Sequence, residues 1–110
     1  MLPRPANKLK RLELDNNALK SVPDDLFLDM PELKLLSLNY NGIVHLPEKA
    51  FRPIWSQLEV FDAVGNPFQC DSTMKWLFHV RSKAVIFGTC DGPEDKKFIH
   101  LDEFIANKGE

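Results

Sequence analysis

Hydrophobic residues recur along this chain in an order that repeats itself. "LKRLELDNNALKSVPDDLFLDMPE", from Leu9, lies over "LKLLSLNYNGIVHLPEKAFRPIWSQ", from Leu33, at a period of 24 residues. Leu9, Leu12, Leu14, Asn17, Leu19, Val22, Pro23, Phe27 and Met30 match Leu33, Leu36, Leu38, Asn41, Ile43, Leu46, Pro47, Phe51 and Ile54. A third copy starts at Leu58, one residue late, with Phe61, Ala63 and Asn66 in register. Periods of this length mark arrays of small supersecondary units. The pairs Leu12/Leu14, Leu36/Leu38 and Phe61/Ala63 alternate with polar or variable residues, the signature of a strand with one buried face. Stacked copies therefore predict a short parallel sheet. Asn17, Asn41 and Asn66 recur where the chain must turn inward, and a buried amide there can bond backbone donors and acceptors of adjacent turns. Phe27 and Phe51 are expected to fill the convex side. Pro23 and Pro47 keep the return segments from extending the sheet.

Local readings compete with this one. "NYNG" alone suggests a hairpin turn, and Leu9/Leu12 alone could be one face of a helix. A hairpin does not predict an equivalent Asn 24 residues earlier and 25 later, and a helix does not predict the i, i+2 pairs. The pattern resembles the leucine-rich repeat family, whose consensus L-x-x-L-x-L-x-x-N-x-L is met twice in full and once in part over residues 9–66. The resemblance implies an α/β solenoid with its parallel sheet on the concave side.

A solenoid must end, because the last repeat leaves an apolar face and a sheet edge uncovered. Pro67 breaks the pattern after Asn66, and Asp71 or Ser72 can cap a helix running through about Arg81, with Ser72 the preferred cap. On it Met74, Leu77 and Phe78 share one side, and Trp76 and Val80 sit near a second, a wide apolar surface suited to a helix pressed on a core. "AVIFGTC" reads as a short extended run. Phe98, Ile99, Leu101 and Phe104 are expected to hold the closing segment by packing, and the last residues to fray. The expected organisation is a truncated or partial repeat over residues 1–8, repeats over 9–66, a C-terminal cap over 67–105 and a tail over 106–110.

The chain has two cysteines, Cys70 and Cys90. Their spacing and surroundings leave open a bridge or two separate buried thiols. Cys70, His79, Cys90 and His100 give no recognised zinc spacing. No oxyanion-hole or base-orienting motif lies near His79 or His45 to support a nucleophilic thiol. The order Asn-Pro-aromatic-x-Cys, Trp-Leu, then a later Cys followed by Pro resembles the cysteine-containing C-terminal cap of extracellular leucine-rich repeat proteins. That pattern usually carries four cysteines, bonded first to third and second to fourth. Cys70 and Cys90 match the first and third, Ser72 stands at the second, and nothing supplies the fourth. The resemblance thus implies one complete bridge, Cys70–Cys90, and the absent cysteines would have been each other's partners.

Composition narrows the function classes. The 110 residues carry a formal net charge of −2, with 44% hydrophobic and 27% charged residues, so a folded domain is expected and a basic nucleic-acid face is not. The longest apolar clusters, "WLF" and "AVIF", are core-sized, so no direct membrane insertion is expected. "MLPRPANKLKR" lacks the apolar region of a signal peptide, and no N-x-[ST] acceptor is present. Disulfide caps belong to oxidising compartments, so the resemblance implies an extracellular or cell-surface place. Leu2-Pro3 echoes Val22-Pro23 and Leu46-Pro47, which leads us to expect the C-terminal part of a longer ectodomain.

No Gly-rich phosphate loop, G-x-S-x-G or H-E-x-x-H occurs. Neither an enzyme nor a cofactor is expected, and function should come from shape. The outward strand positions predict a small protein-binding face: Arg11, Glu13, Asp15 and Asn16; Leu35, Ser37, Asn39 and Tyr40; Val60, Asp62 and Val64. Leu35, Val60 and Val64 are apolar where solvent is expected, Tyr40 is an amphipathic anchor type, and Glu13, Asp15 and Asp62 add an acidic tint suited to a basic partner. The expected role is binding a protein ligand or co-receptor in a receptor, adhesion or immune-recognition protein. The alternatives are a structural cap or spacer without its own ligand, and an intracellular repeat adaptor with reduced cysteines.

A bridge from Cys70 to Cys90 closes a loop across 20 positions, and constraining the unfolded chain in this way contributes roughly 3 kcal/mol. Cys90→Ser should therefore cost about 2 to 5 kcal/mol in denaturant unfolding under non-reducing conditions. Unchanged unfolding would mean that the two thiols do not stabilise the cap together.

Overall fold

The computed structural model describes residues 7–109, so most of the partial repeat expected over residues 1–8 lies outside the described residues. The strands are β1 (Arg11–Glu13), β2 (Leu35–Ser37), β3 (Val60–Asp62), β4 (Phe68–Gln69), β5 (Val85–Phe87) and β6 (Cys90–Gly92). Helix α1 spans Glu48–Trp55 and α2 spans Leu101–Ala106, with 3₁₀ turns at Ser72–Phe78 and Glu94–Lys96. β1, β2, β3 and β5 form one parallel sheet in that order, and β4 pairs with β6 in a second, smaller one. The fold is an α/β solenoid closed by a cap.

The matched leucines set the register. Leu12, Leu36, Phe61 and Ile86 lie side by side across the main sheet and point inward. Behind them Leu33, Leu38, Ile43, Leu46, Leu58 and Ala63 are fully buried. Aromatic rings make the outer wall. Phe27 meets Phe51 at 5.2 Å between centroids, Phe51 meets Phe61 at 5.9 Å, Phe61 meets Trp55 at 5.0 Å, and Trp55 meets Trp76 of the cap at 5.7 Å. Such tilted contacts each add about 0.5–1.5 kcal/mol beyond the area they bury. A single aromatic chain thus ties the first described repeat to the lid.

Equivalent return segments take different forms. After Pro47, Glu48, Lys49 and Ala50 favour α1, which buries Ala50, Phe51, Ile54 and Trp55 and pairs Glu48 with Arg52 across one turn. After Pro23, the carboxylates of Asp24 and Asp25 compete for backbone donors, and the chain passes through turns with Asp29 at φ 62°. Gln57 joins the two returns, donating to the Met30 carbonyl at 2.8 Å and the Leu33 carbonyl at 3.1 Å.

The asparagines span the inward turns. Asn41 Oδ1 accepts from the amides of Asn17 at 2.8 Å and Leu19 at 3.1 Å, and its Nδ2 donates to the carbonyls of Leu14 and Leu38, both at 3.0 Å. Asn66 accepts from Ile43 N–H at 3.2 Å and donates to the carbonyls of Leu38 at 2.9 Å and Ala63 at 3.1 Å. Asn17 departs from the expected buried amide. It is exposed and its side chain reaches only the Asp15 carbonyl, because it serves the outermost described turn.

The cap differs from expectation in three places. Ser72–Phe78 is a 3₁₀ helix that stops before His79, and Asp71 caps it rather than Ser72. Asp71 Oδ1 accepts from Thr73 N–H at 3.0 Å and Thr73 Oγ1 at 2.6 Å, and these donors hold its carboxyl below the usual carboxylate value. Tight winding aligns positions three apart, so Met74 and Leu77 enter the core together while Trp76 donates to the Leu46 carbonyl at 2.8 Å. The closing segment is held by Leu101 and Phe104, with Ile99 half-buried, but Phe98 is 76% exposed. Its amide bonds the Cys90 carbonyl from a backbone φ of 72°, which sends the ring outward. Finally, residues 107–109 are tied down. Gly109 N–H bonds the Phe104 carbonyl at 2.9 Å, and the Gly109 carbonyl accepts from Lys96. Cys70 and Cys90 form a disulfide, Sγ–Sγ 2.01 Å.

Asn41→Leu should destabilise the fold by about 1–3 kcal/mol, since the turn loses its partner while its backbone groups stay enclosed. Chemical denaturation measures this, and a loss below about 0.5 kcal/mol would count against the amide ladder.

Candidate functional site

The outward positions of the main sheet fall into rows. Arg11, Leu35, Val60 and Val85 are in register, as are Glu13, Ser37, Asp62 and Phe87. Continuing bonds, Asn16 N–H to the Asn39 carbonyl at 2.9 Å and Tyr40 N–H to the Val64 carbonyl at 2.8 Å, extend the rows through Asp15, Asn39 and Val64.

Side chains within these rows have different freedom. Asp15 Oδ1 accepts from Ser37 Oγ at 2.6 Å and Asn39 N–H at 2.7 Å. Asn39 Oδ1 accepts from Val64 N–H at 2.7 Å, and its Nδ2 donates to Ser37 Oγ at 3.3 Å. Ser37 is buried. Asp15, Ser37 and Asn39 therefore knit adjacent repeats together on the concave side, and part of their bonding capacity is already used. Arg11 and Glu13 are exposed and pair with each other at 2.5 Å. Leu35, Val60 and Asp62 are half-buried. Tyr40 and Val64 are exposed.

Tyr40 has a built seat. Its backbone φ is 57°, and its ring lies over Gly65, where a Cβ would stand 2.4 Å from Tyr40 Cδ1. Gly65 itself has φ 80°, so glycine there serves both the backbone and the ring.

The sequence pattern missed the end of the face. β5 belongs to the cap, yet it forms the fourth strand of the main sheet and presents Val85, 56% exposed, and Phe87, 47% exposed. The available signal was the 25-residue step from Phe61 to Ile86, with "AVIF" in register. A leucine-based consensus does not find it, because no inward leucine or closing asparagine follows. Along the sheet the face grades from charged Arg11 and Glu13 to apolar Val85 and Phe87. Beside β5 lies a depression of about 560 Å³, lined by Val64, Val85–Thr89, His100, Asp102 and Glu103.

Among the described residues no group of three or more His, Cys, Asp or Glu side chains could hold a metal ion, and no helix is long and apolar enough to cross a membrane.

The family profile for leucine-rich repeats matches residues 7–68. The chain belongs to the leucine-rich repeat family. Over 58 residues it is 36% identical to leucine-rich repeat-containing protein 3B of Homo sapiens, covering 53% of this chain and 22% of that protein. Over 69 residues it is 32% identical to the high affinity nerve growth factor receptor of Gallus gallus, covering 63% of this chain and 9% of the receptor. It thus spans less than a quarter of either relative. Among solved structures it is similar to a chain of the octameric complex of Latrophilin 3 (Lec, Olf), Unc5D (Ig, Ig2, TSP1) and FLRT2 (LRR). The TM-score is 0.77 at 28% identity, over 90% of this chain and 32% of that one. The resemblance extends past the repeats and includes the cap, and the Cys70–Cys90 disulfide of this leucine-rich repeat chain fits a cysteine-containing lid.

Gly65→Ala should cost about 1–3 kcal/mol, because alanine takes up a strained left-handed backbone and strikes the tyrosine ring. In a Tyr40→Ala background the cost should fall, leaving only the backbone part. Equal losses in both backgrounds would mean that ring and glycine are not coupled.

Proposed function

We infer that this chain is a non-enzymatic protein-binding module that captures its partner on the concave face. The observation that carries this reading is the exposed apolar end of the sheet, where Val64, Val85 and Phe87 sit beside half-buried Val60 and seated Tyr40. Aromatic and aliphatic side chains held on a rigid sheet supply binding energy with little ordering cost. Tyr40 and Phe87 are the anchors, Val60 and Val64 the surrounding floor, and Asp62 the charge that selects a basic group. Arg11, Glu13 and Leu35 make the outer rim. Asp15, Ser37 and Asn39 act mainly by holding the rows in register.

Membership of a family that includes a cell-surface receptor, together with a disulfide-closed lid, supports an extracellular or cell-surface place as part of a longer chain. A receptor, adhesion or immune-recognition protein is the fitting context, with a protein ligand or co-receptor as partner. A structural spacer would have no need of apolar anchors on its solvent face.

The test is a screen of the oligomerised, disulfide-bonded chain against an array of purified secreted and cell-surface ectodomains. Tyr40→Ala and Phe87→Ala should each weaken a captured partner about tenfold or more, the scale of an interface hot spot. Absence of any captured ectodomain, or capture indifferent to both substitutions, would favour the spacer.

A further inference from the structure

The cap has a hollow of its own, away from the concave face. α2 packs against β5 and also against the 3₁₀ turn Ser72–Phe78. Where the end of α2 meets that turn lies a cleft of about 330 Å³. It shares no lining residue with the depression beside β5.

Three lysines reach this cleft from separate elements. Lys75 comes from the turn Ser72–Phe78, Lys96 from the turn Glu94–Lys96, and Lys108 from the chain after α2. Lys75 and Lys108 are exposed and Lys96 is half-buried. None of the three makes an ion pair among the described residues. Asp71 is the acid among the described lining residues, and its carboxylate is engaged elsewhere. Its Oδ1 accepts from both donors of Thr73, and its Oδ2 lies 3.3 Å from His45 Nε2. Glu94 and Asp95 flank Lys96 in the sequence but do not line the cleft. Like charges gathered on one cleft repel, and an anion between them relieves the repulsion. The chain as a whole carries a net charge of −2, so a local cluster is what can draw a polyanion to it.

The floor of the cleft is built. The Phe78 and Phe104 rings meet at 5.3 Å between centroids. Gly109 lies over both, where a Cβ would stand 3.2 Å from Phe78 Cζ and 3.5 Å from Phe104 Cε1. That seat brings the Gly109 carbonyl to Lys96, whose ammonium donates to it. An ammonium has three hydrogens, so Lys96 is held in place with donor capacity to spare. The fold has thereby met part of the cost of ordering a binding lysine.

The lining chemistry selects the anion. Planar carboxylates suit the fork of an arginine, and no arginine lines the cleft among the described residues. Lysine ammonium groups act as point charges, which serve the tetrahedral oxygens of sulfate and phosphate. Walls from three elements admit a narrow chain and keep a flat lipid surface from the floor. We propose that this cleft binds a sulfated polysaccharide, with Lys75, Lys96 and Lys108 on sulfate groups and half-buried Phe78 against a sugar ring. The choice of a glycan rests on the extracellular or cell-surface place inferred above, and the site does not depend on the concave-face reading. Bound there, the glycan holds the module at a surface or matrix while the concave face stays free for its protein partner.

Titration of the disulfide-bonded chain tests this with three probes: a heparin-derived hexasaccharide, its fully desulfated counterpart, and vesicles containing phosphatidylserine. The sulfated probe should bind, with an affinity that falls as salt rises, and the desulfated probe should not. Amide shifts on binding should centre on Lys75, Phe78 and Gly109. The pair Lys75→Gln and Lys108→Gln should weaken binding about tenfold or more with the melting of the chain unchanged. Lys83→Gln, exposed and outside the cleft, should leave binding unaltered, as should Tyr40→Ala. Failure of the sulfated probe to bind would overturn the proposal, as would an equal loss on Lys83→Gln or equal binding of the desulfated probe. Binding to vesicles without binding to the hexasaccharide would overturn it in favour of a membrane surface.

Discussion

Every inward turn of this chain leaves backbone amides and carbonyls beyond the reach of the strand ladder, and a side-chain carboxamide has to satisfy them. Asn41 does this for two turns at once, taking amides from the repeat before it and giving hydrogens to carbonyls on both sides. Asn66 repeats the arrangement one level on. Burying those groups unpaired would cost more than any single leucine of the stack contributes in excess of its neighbours. With the turns fixed, the strands stack in register, Leu12, Leu36, Phe61 and Ile86 meet behind the sheet, and the outward residues fall into rows. The face is a consequence of the ladder.

A second polar network lies on the opposite side of the same strands. Asp15, Ser37 and Asn39 join neighbouring repeats through hydroxyl, carboxylate and backbone amide, ending at Val64 N–H. The polar half of the concave face is thereby partly committed to the fold. The apolar half, from Val60 to Phe87, has no such internal use. Solvating it is unfavourable, and nothing in the packing of the stack requires Phe87 to be a phenylalanine. On the proposed reading, that asymmetry puts the binding energy toward the cap and leaves the charged end to steer and to exclude.

Legibility in the sequence followed the reach of the interactions involved. Leucine spacing, the asparagine turns and the Phe27–Phe51 contact are periodic, because each unit meets a near copy of itself, and period is what a sequence displays. The partner of Cys70 was legible only through family resemblance, since twenty positions of separation say nothing of proximity. Helix α1 and the turns after Pro23 differ through local chemistry at Glu48–Ala50 against Asp24–Asp25, which a shared repeat pattern conceals. Ser72 lost the capping role to Asp71 because a carboxylate can hold both donors of Thr73. Phe98 was misplaced since its exposure depends on a left-handed backbone that no side-chain pattern encodes. β5 was legible as a short extended run in "AVIFGTC", but its place as the fourth strand of the sheet was not, because it completes the sheet without continuing the repeat.

That last point alters what the cap is. A lid is expected to end the sheet and hide its edge, and here the lid first adds a strand of its own and then packs α2 against it. Cys90 is held to Cys70, and Leu101 closes over Gly88, where a Cβ would stand 2.9 Å from Leu101 Cδ1. These two contacts fix the chain on either side of Thr89, and with it the direction in which β5 presents Val85 and Phe87. With one disulfide in the cap, the closing segment is held further by Leu101 and Phe104, buried on the inner side of α2, and by the Gly109 turn that ends it. One disulfide plus a packed helix secures the inner end of β5, so the lid sets the direction in which Val85 and Phe87 face solvent.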